Sequence, residues 1–113
     1  GDKTMIDGKL TRMDADDAFA GEIASVAFDF PFTMVPNTHK RKDSHPDYVI
    51  EALTPKNRAI RIGSAWASQS RAGNDYFSLA LNLQQGVVRA NAVKDEETGA
   101  GEYRIIPLMP VTA

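Results

Sequence analysis

The stretch "AIRIGSAWASQSRAGNDYFSLALNL", residues 59–83, decides the fold class. Its second half alternates strictly, with Phe77, Leu79, Leu81 and Leu83 on one side and Tyr76, Ser78, Ala80 and Asn82 on the other. Period two is the mark of a strand with one face buried. The first half sets Ile60, Ile62 and Trp66 against Arg61, Gly63 and Ala65. Between them "ASQSRAGND" collects Ser, Gly, Asn and Asp, residues that accept left-handed backbone or bond to it locally, so a hairpin is the simplest connection. Strict alternation places Trp66 in the core with Ile60 and Ile62, and turns Tyr76 outward near the hairpin base.

Outward from this hairpin the same period recurs. "DYVIEAL" sets Tyr48, Ile50 and Ala52 against Val49, Glu51 and Leu53, with side chains that suit a pleated surface. "IASVAFDFPF" reads as a strand with Val26, Phe28 and Phe30 on one side, broken at Pro31 because proline cannot donate to a ladder, with "FTMVP" resuming it. "VVRANAV" and "EYRIIPLM" are two further strands, joined by the charged, glycine-bearing turn "KDEETGAG". No segment offers an amphipathic helix of more than about ten residues, although "RMDADDAFAGEIA" has room for a short helical turn. The expectation is an all-β fold, a small antiparallel barrel or sandwich of about six or seven short strands.

The chain has 113 residues, which suits one core: a flexible N-terminal extension over 1–8 and a single β-rich domain over 9–113. Apolar residues make up 42% and charged ones 25%, so a folded chain is expected. The 13 basic and 15 acidic residues leave a net charge of −2, so any hold on nucleic acid must come from a local patch. There is no cysteine, which removes disulfides, thiolate catalysis and zinc–thiolate sites and fits a reducing compartment. No apolar run approaches the roughly 18 residues of a membrane span. The expected location is the cytoplasm, away from membranes.

Catalysis finds little support. The two histidines, His39 and His45, share the loop "NTHKRKDSHPD" with no element to fix them against a nucleophile. As metal ligands, with Asp43 and Asp47 nearby, they would have Lys40, Arg41 and Lys42 crowding the ion. "DADD" and "KDEET" lack the ligand spacing of a calcium loop, and "GAG" near residue 100 precedes a strand instead of a phosphate-cradling helix. The expectation is a protein that is not an enzyme and carries neither cofactor nor metal.

What remains is the cluster of cations "HKRK" with Arg58, Arg61, Arg71 and Arg89, in a chain that offers Tyr48, Trp66 and Tyr76. Single-stranded nucleic acid is held by cations along its backbone and aromatic faces under its bases, often on small β-barrels. The candidate contact residues are therefore Lys40, Arg41, Lys42, Tyr48, Trp66, Arg71 and Tyr76, with DNA or RNA as the partner. The alternative is a protein-interaction module or homodimer that offers a strand edge or the apolar tail "IIPLMPV".

The order "GKLTR", "FAGEIASVAFDFPFTMVP", "HPDYVI", "IRIGSAWASQSRAGNDYFSLALN" and "RANAV" resembles the bacterial family known as domain of unknown function 736, over roughly residues 8 to 106. The matching positions are Phe19, Gly21, Ile23, Pro36, Pro46, Asp47, Tyr48, Gly63, Ala65, Trp66, Asp75, Tyr76 and Ser78. Ala67 replaces the basic residue that often follows the family's tryptophan, "ALNLQQG" replaces a "KLDDP" continuation, and "IIPLMP" replaces a "W-S-R"-like ending. The resemblance implies no established activity. It does imply an accessory role in the biology of plasmids and integrated conjugative elements, where such genes are often found.

Overall fold

A computed structural model describes residues 6–13, 17–83, 86–95 and 101–107. Eight antiparallel strands run in chain order: β1 (Ile6–Arg12), β2 (Phe19–Ser25), β3 (Asp29–Pro36), β4 (Tyr48–Leu53), β5 (Ala59–Gln69), β6 (Asp75–Leu83), β7 (Gly86–Lys94) and β8 (Glu102–Pro107). Each pairs with its sequence neighbours, and β8 returns to β1 through Gly8↔Ile105 and Leu10↔Tyr103, which closes the barrel. The result is an all-β up-and-down barrel of eight strands, close to the six or seven expected. Among the described residues there is no helix, so the helical turn expected within "RMDADDAFAGEIA" is replaced by the start of β2, residues 14–16 of that stretch lying outside the description.

Alternation fills the interior from every strand, with Leu10, Phe19, Ile23, Phe32, Met34, Ile50, Leu79, Leu81, Tyr103 and Ile105 all buried. An eight-stranded barrel has an interior that its own side chains can fill, and here they do. The bulk of Phe32, Leu81 and Ile105 is therefore matched by inward glycines: a Cβ on Gly21 would lie 2.6 Å from the Phe32 ring, and one on Gly63 would lie 2.2 Å from the Ala80 carbonyl oxygen. Near the end of the barrel marked by Arg12, Tyr48 and Gln69, called here the upper mouth, four rings pack edge to face. Phe19 lies 5.2 Å from Phe77, 5.6 Å from Tyr103 and 5.9 Å from Tyr48, centroid to centroid.

Three expectations are corrected. "IASVAFDFPF" is not one strand but the hairpin between β2 and β3: Ser25 N–H donates to the Phe28 carbonyl, and Ser25 Oγ accepts from the amides of Ala27 and Phe28. This local serine turn outcompetes the ladder and leaves Val26 fully exposed at its tip. β1 begins at Ile6, inside the stretch expected to be an extension, because its Gly8 and Leu10 complete the interior between β2 and β8. Residues 1–5 lie outside the description.

The third correction concerns Trp66. Ile50 pairs with Gly63 but Glu51 pairs with Arg61, so Ile62 is an extra residue in β5 with no partner opposite. A bulge of this kind interrupts the alternation. Beyond it Gly63 and Ala65 point inward and are buried, while Trp66 stands half-buried on the outer wall. Beyond the bulge the expected faces are exchanged, with Gly63 and Ala65 inside while Arg61 before it stays exposed, and the tryptophan is not in the core.

Candidate functional site

Trp66 is held under the long β3–β4 connection. Asn37 closes the neck of that loop, its N–H donating to the Asp47 carbonyl and its side-chain amide to the Pro46 carbonyl, both at 2.9 Å. Asp47 then stitches the loop to β5: its N–H donates to the Ala65 carbonyl, and its Oδ2 accepts from the Ala67 N–H at 2.8 Å. Between these two bonds sits Trp66, whose indole N–H donates to the Ser44 carbonyl at 3.0 Å. The ring is thereby fixed at its polar edge while remaining partly open to solvent.

Lys40 pairs with Asp47 Oδ1. That hydrogen bond, more than any other influence, holds the Asp47 carboxyl below the usual carboxylate range. The carboxylate beside Trp66 is thus neutralised by the loop's own lysine. Arg41 and Lys42 are exposed and, among the described residues, make no ion pair. Arg61 donates to Ser64 Oγ at 2.8 Å and is otherwise unpaired in the same sense. It closes one side of a groove of about 520 Å³ between the loop and the outer wall, lined also by Val35, His39, His45 and Val49.

Register places the second aromatic. Trp66 is opposite Ser78 and Ser68 is opposite Tyr76, so Trp66 and Tyr76 are diagonal neighbours on one face, a separation of roughly 7–8 Å between backbones. The next strand adds Asn91 opposite Ser78 and Arg89 opposite Ala80. The outer wall of β5–β7 is therefore a shelf of two aromatics among small polar side chains, with cations on its margins.

Of the residues singled out from sequence, Trp66 and Tyr76 share this wall, and the loop that carries Lys40, Arg41 and Lys42 is bonded to its β5 edge through Ser44 and Asp47. Arg71 is exposed at the tip of the β5–β6 hairpin. Tyr48 is not with them. It faces inward at the upper mouth, 5.4 Å from Phe77, with its hydroxyl directed toward Asp17. Burial, reinforced by the negative charge of Asp17, raises its phenol above the ordinary value. Arg61, Ser64 and Asn91 complete the wall; only the register of a folded sheet shows that they share a face with Trp66.

Among the described residues, no three His, Asp or Glu side chains gather at metal-binding range. No helix among the described residues is long and apolar enough to cross a membrane. Comparison with curated proteins and with solved structures returns no match. The family model described as "Protein of unknown function (DUF736)" matches residues 8–106.

Proposed function

We propose that this chain, which belongs to the DUF736 family, is a non-enzymatic module that holds single-stranded nucleic acid on the outer wall of β5–β7. The observation that carries the reading is the position of Trp66: a bulge turns it out of the core, and the basic β3–β4 loop holds it in place. Bases stack on aromatic faces whatever their identity, and Lys or Arg neutralises the phosphates between them. Trp66 and Tyr76 supply the platforms. Arg41, Lys42, Arg61 and Arg71 supply the cations, which a net charge of −2 does not provide globally.

Lack of cysteine supports a cytoplasmic location, and the family resemblance supports an accessory role on mobile elements. Self-association is the second reading, favoured by the exposed Val26, Leu53, Ile60 and Val87 at or near the lower end of the barrel.

Fluorescence polarisation of labelled single- and double-stranded DNA and RNA tests the first reading. Single strands are expected to bind at low salt and quench Trp66. With four phosphates neutralised, log affinity should fall against log salt with a slope of about −3. Trp66→Ala and Tyr76→Ala should each cost about 1–3 kcal/mol of binding. Absence of binding at low salt, or affinity indifferent to charge reversal at Arg41 and Lys42, overturns it. Sedimentation of the same sample reads the self-association alternative.

A further inference from the structure

The wall of the barrel is open along a seam between β3 and β4. β3 and β4 pair from Pro36↔Tyr48 to Thr33↔Glu51 and no further, although β3 continues to Asp29 and β4 to Leu53. Continued in the same register, Phe32 would meet Ala52 and then Pro31 would meet Leu53, and Pro31 has no N–H to donate. The bulge at Ile62 lies in the adjoining strand, beside Glu51. Together they leave a slot of about 390 Å³.

Its lining comes from both faces of the sheet. Phe30, Phe32 and Ala52 reach it from the interior, while Leu53, Ala59 and Glu51 form its outer rim. Almost everything in it is apolar. The exceptions are the Thr33 hydroxyl and the Glu51 carboxylate; Glu51 makes no ion pair among the described residues, although Arg61 lies opposite it on β5. An apolar pocket of a few hundred Å³ with a few directional polar groups is the usual form of a small-molecule site.

We infer that the seam between β3 and β4 binds a compact aromatic molecule bearing a positively charged amino group, with the ring between Phe30, Phe32 and Leu53 and the amine at Glu51. A polypeptide strand is the poorer occupant. The open edge of β3 carries a proline at its centre, and proline denies an added strand its hydrogen bond, as edge prolines do generally. Charge selects within the remaining class: Glu51 favours a cation and repels a carboxylate. The slot and the Trp66 wall share no lining residue, although Arg61 of the wall lies opposite Glu51 of the slot, and the two readings are tested by different ligands.

Three probes that share an indole ring and differ in the charge of the group at its 3-position test it: tryptamine, indole and indole-3-acetate, titrated into ¹⁵N-labelled full-length protein and followed by amide shifts. The expected result is saturable binding with shifts centred on Phe30–Thr33 and Glu51–Leu53, in the order tryptamine, indole, indole-3-acetate. Ala59→Phe, an exposed rim position, should weaken tryptamine at least about tenfold by filling the slot. Glu51→Gln should bring the tryptamine-to-acetate preference close to one while leaving indole unchanged.

The inference is overturned by the absence of saturable binding, by shifts confined to the upper mouth, or by equal affinity for tryptamine and indole-3-acetate. Slot shifts that grow on concentrating the protein alone would assign the seam to a second copy and overturn it equally. Should Ala59→Phe disturb the fold, as its spectrum would show, Glu51→Gln still decides the charge preference.

Discussion

At the scale of single residues, Asp47 does most to set the surface, because one side chain joins Lys40, the Ala67 amide and thereby the loop over Trp66. Its carboxyl is lowered, chiefly by the hydrogen bond from Lys40. The contribution is therefore fully present above the ordinary carboxylate value and is lost as pH falls through the lower, folded-state value. Trp66 emission should thus hold steady from neutral pH down through the ordinary range of about 4 and shift only below it. Asp47→Ala should give the released emission already at neutral pH and cost about 1–2 kcal/mol in urea unfolding. An emission change centred at or above the ordinary carboxylate value would contradict this account of the latch. Asp47 was legible in sequence as a neighbour of histidines and as a position shared with the resembled family, but not as a latch; its partners are 7 and 20 residues away along the chain, distances no local pattern reports.

At the scale of elements, β5 shows how far periodicity can be followed. In β6 the alternation of Phe77, Leu79 and Leu81 against Tyr76, Ser78 and Ala80 is uninterrupted, and the strand buries the apolar set as its pattern implies. β5 has the same character on paper, but the extra residue at Ile62 exchanges its faces. Bulges of this type carry no fixed residue signature at a non-glycine position, so the pattern alone points Trp66 the wrong way. A weak signal was present: Gly63 and Ala65 are too small for an outer face and fit an interior already filled by Leu79 and Leu81. That fit is testable. Gly63→Ala puts a methyl against the Ala80 carbonyl, which is backbone and cannot rotate aside, so a loss of about 1–3 kcal/mol is expected from the urea midpoint. An unchanged midpoint would mean that β5 and β6 can separate at this point without penalty.

At the scale of the whole molecule, the decisive contact is between the first and last strands. β1 and β8 meet through Lys9↔Arg104 and Thr11↔Glu102, with Thr11 Oγ1 donating to Glu102 at 2.9 Å. Closure pairs both strands and leaves no whole edge strand; among the described residues, unpaired stretches remain at 29–32 of β3, facing β4, and at 86–89 of β7, facing β8. Deleting the chain from Glu102 onward would expose β1 and β7 together and strip Tyr103 and Ile105 from the core. The truncated protein is expected to lose cooperative thermal unfolding and to aggregate. A monomeric, cooperatively folding truncation would show that β1–β7 form a self-sufficient sheet.

The sequence by itself determined the strand class, the β5–β6 hairpin, the interior face of β6 and the loop that carries the cations, because each is written in neighbouring residues through period two and turn chemistry. Only the tertiary structure decided that Trp66 faces out, that Tyr48 belongs to the mouth and not to the wall, that Pro31 opens a seam, and that the sheet closes through a strand as unassuming as "IDGKLTR". These depend on which residue lies opposite which across strands distant in the chain. Register is set by the packing of the whole interior, and a shift of one residue moves every later side chain to the other face.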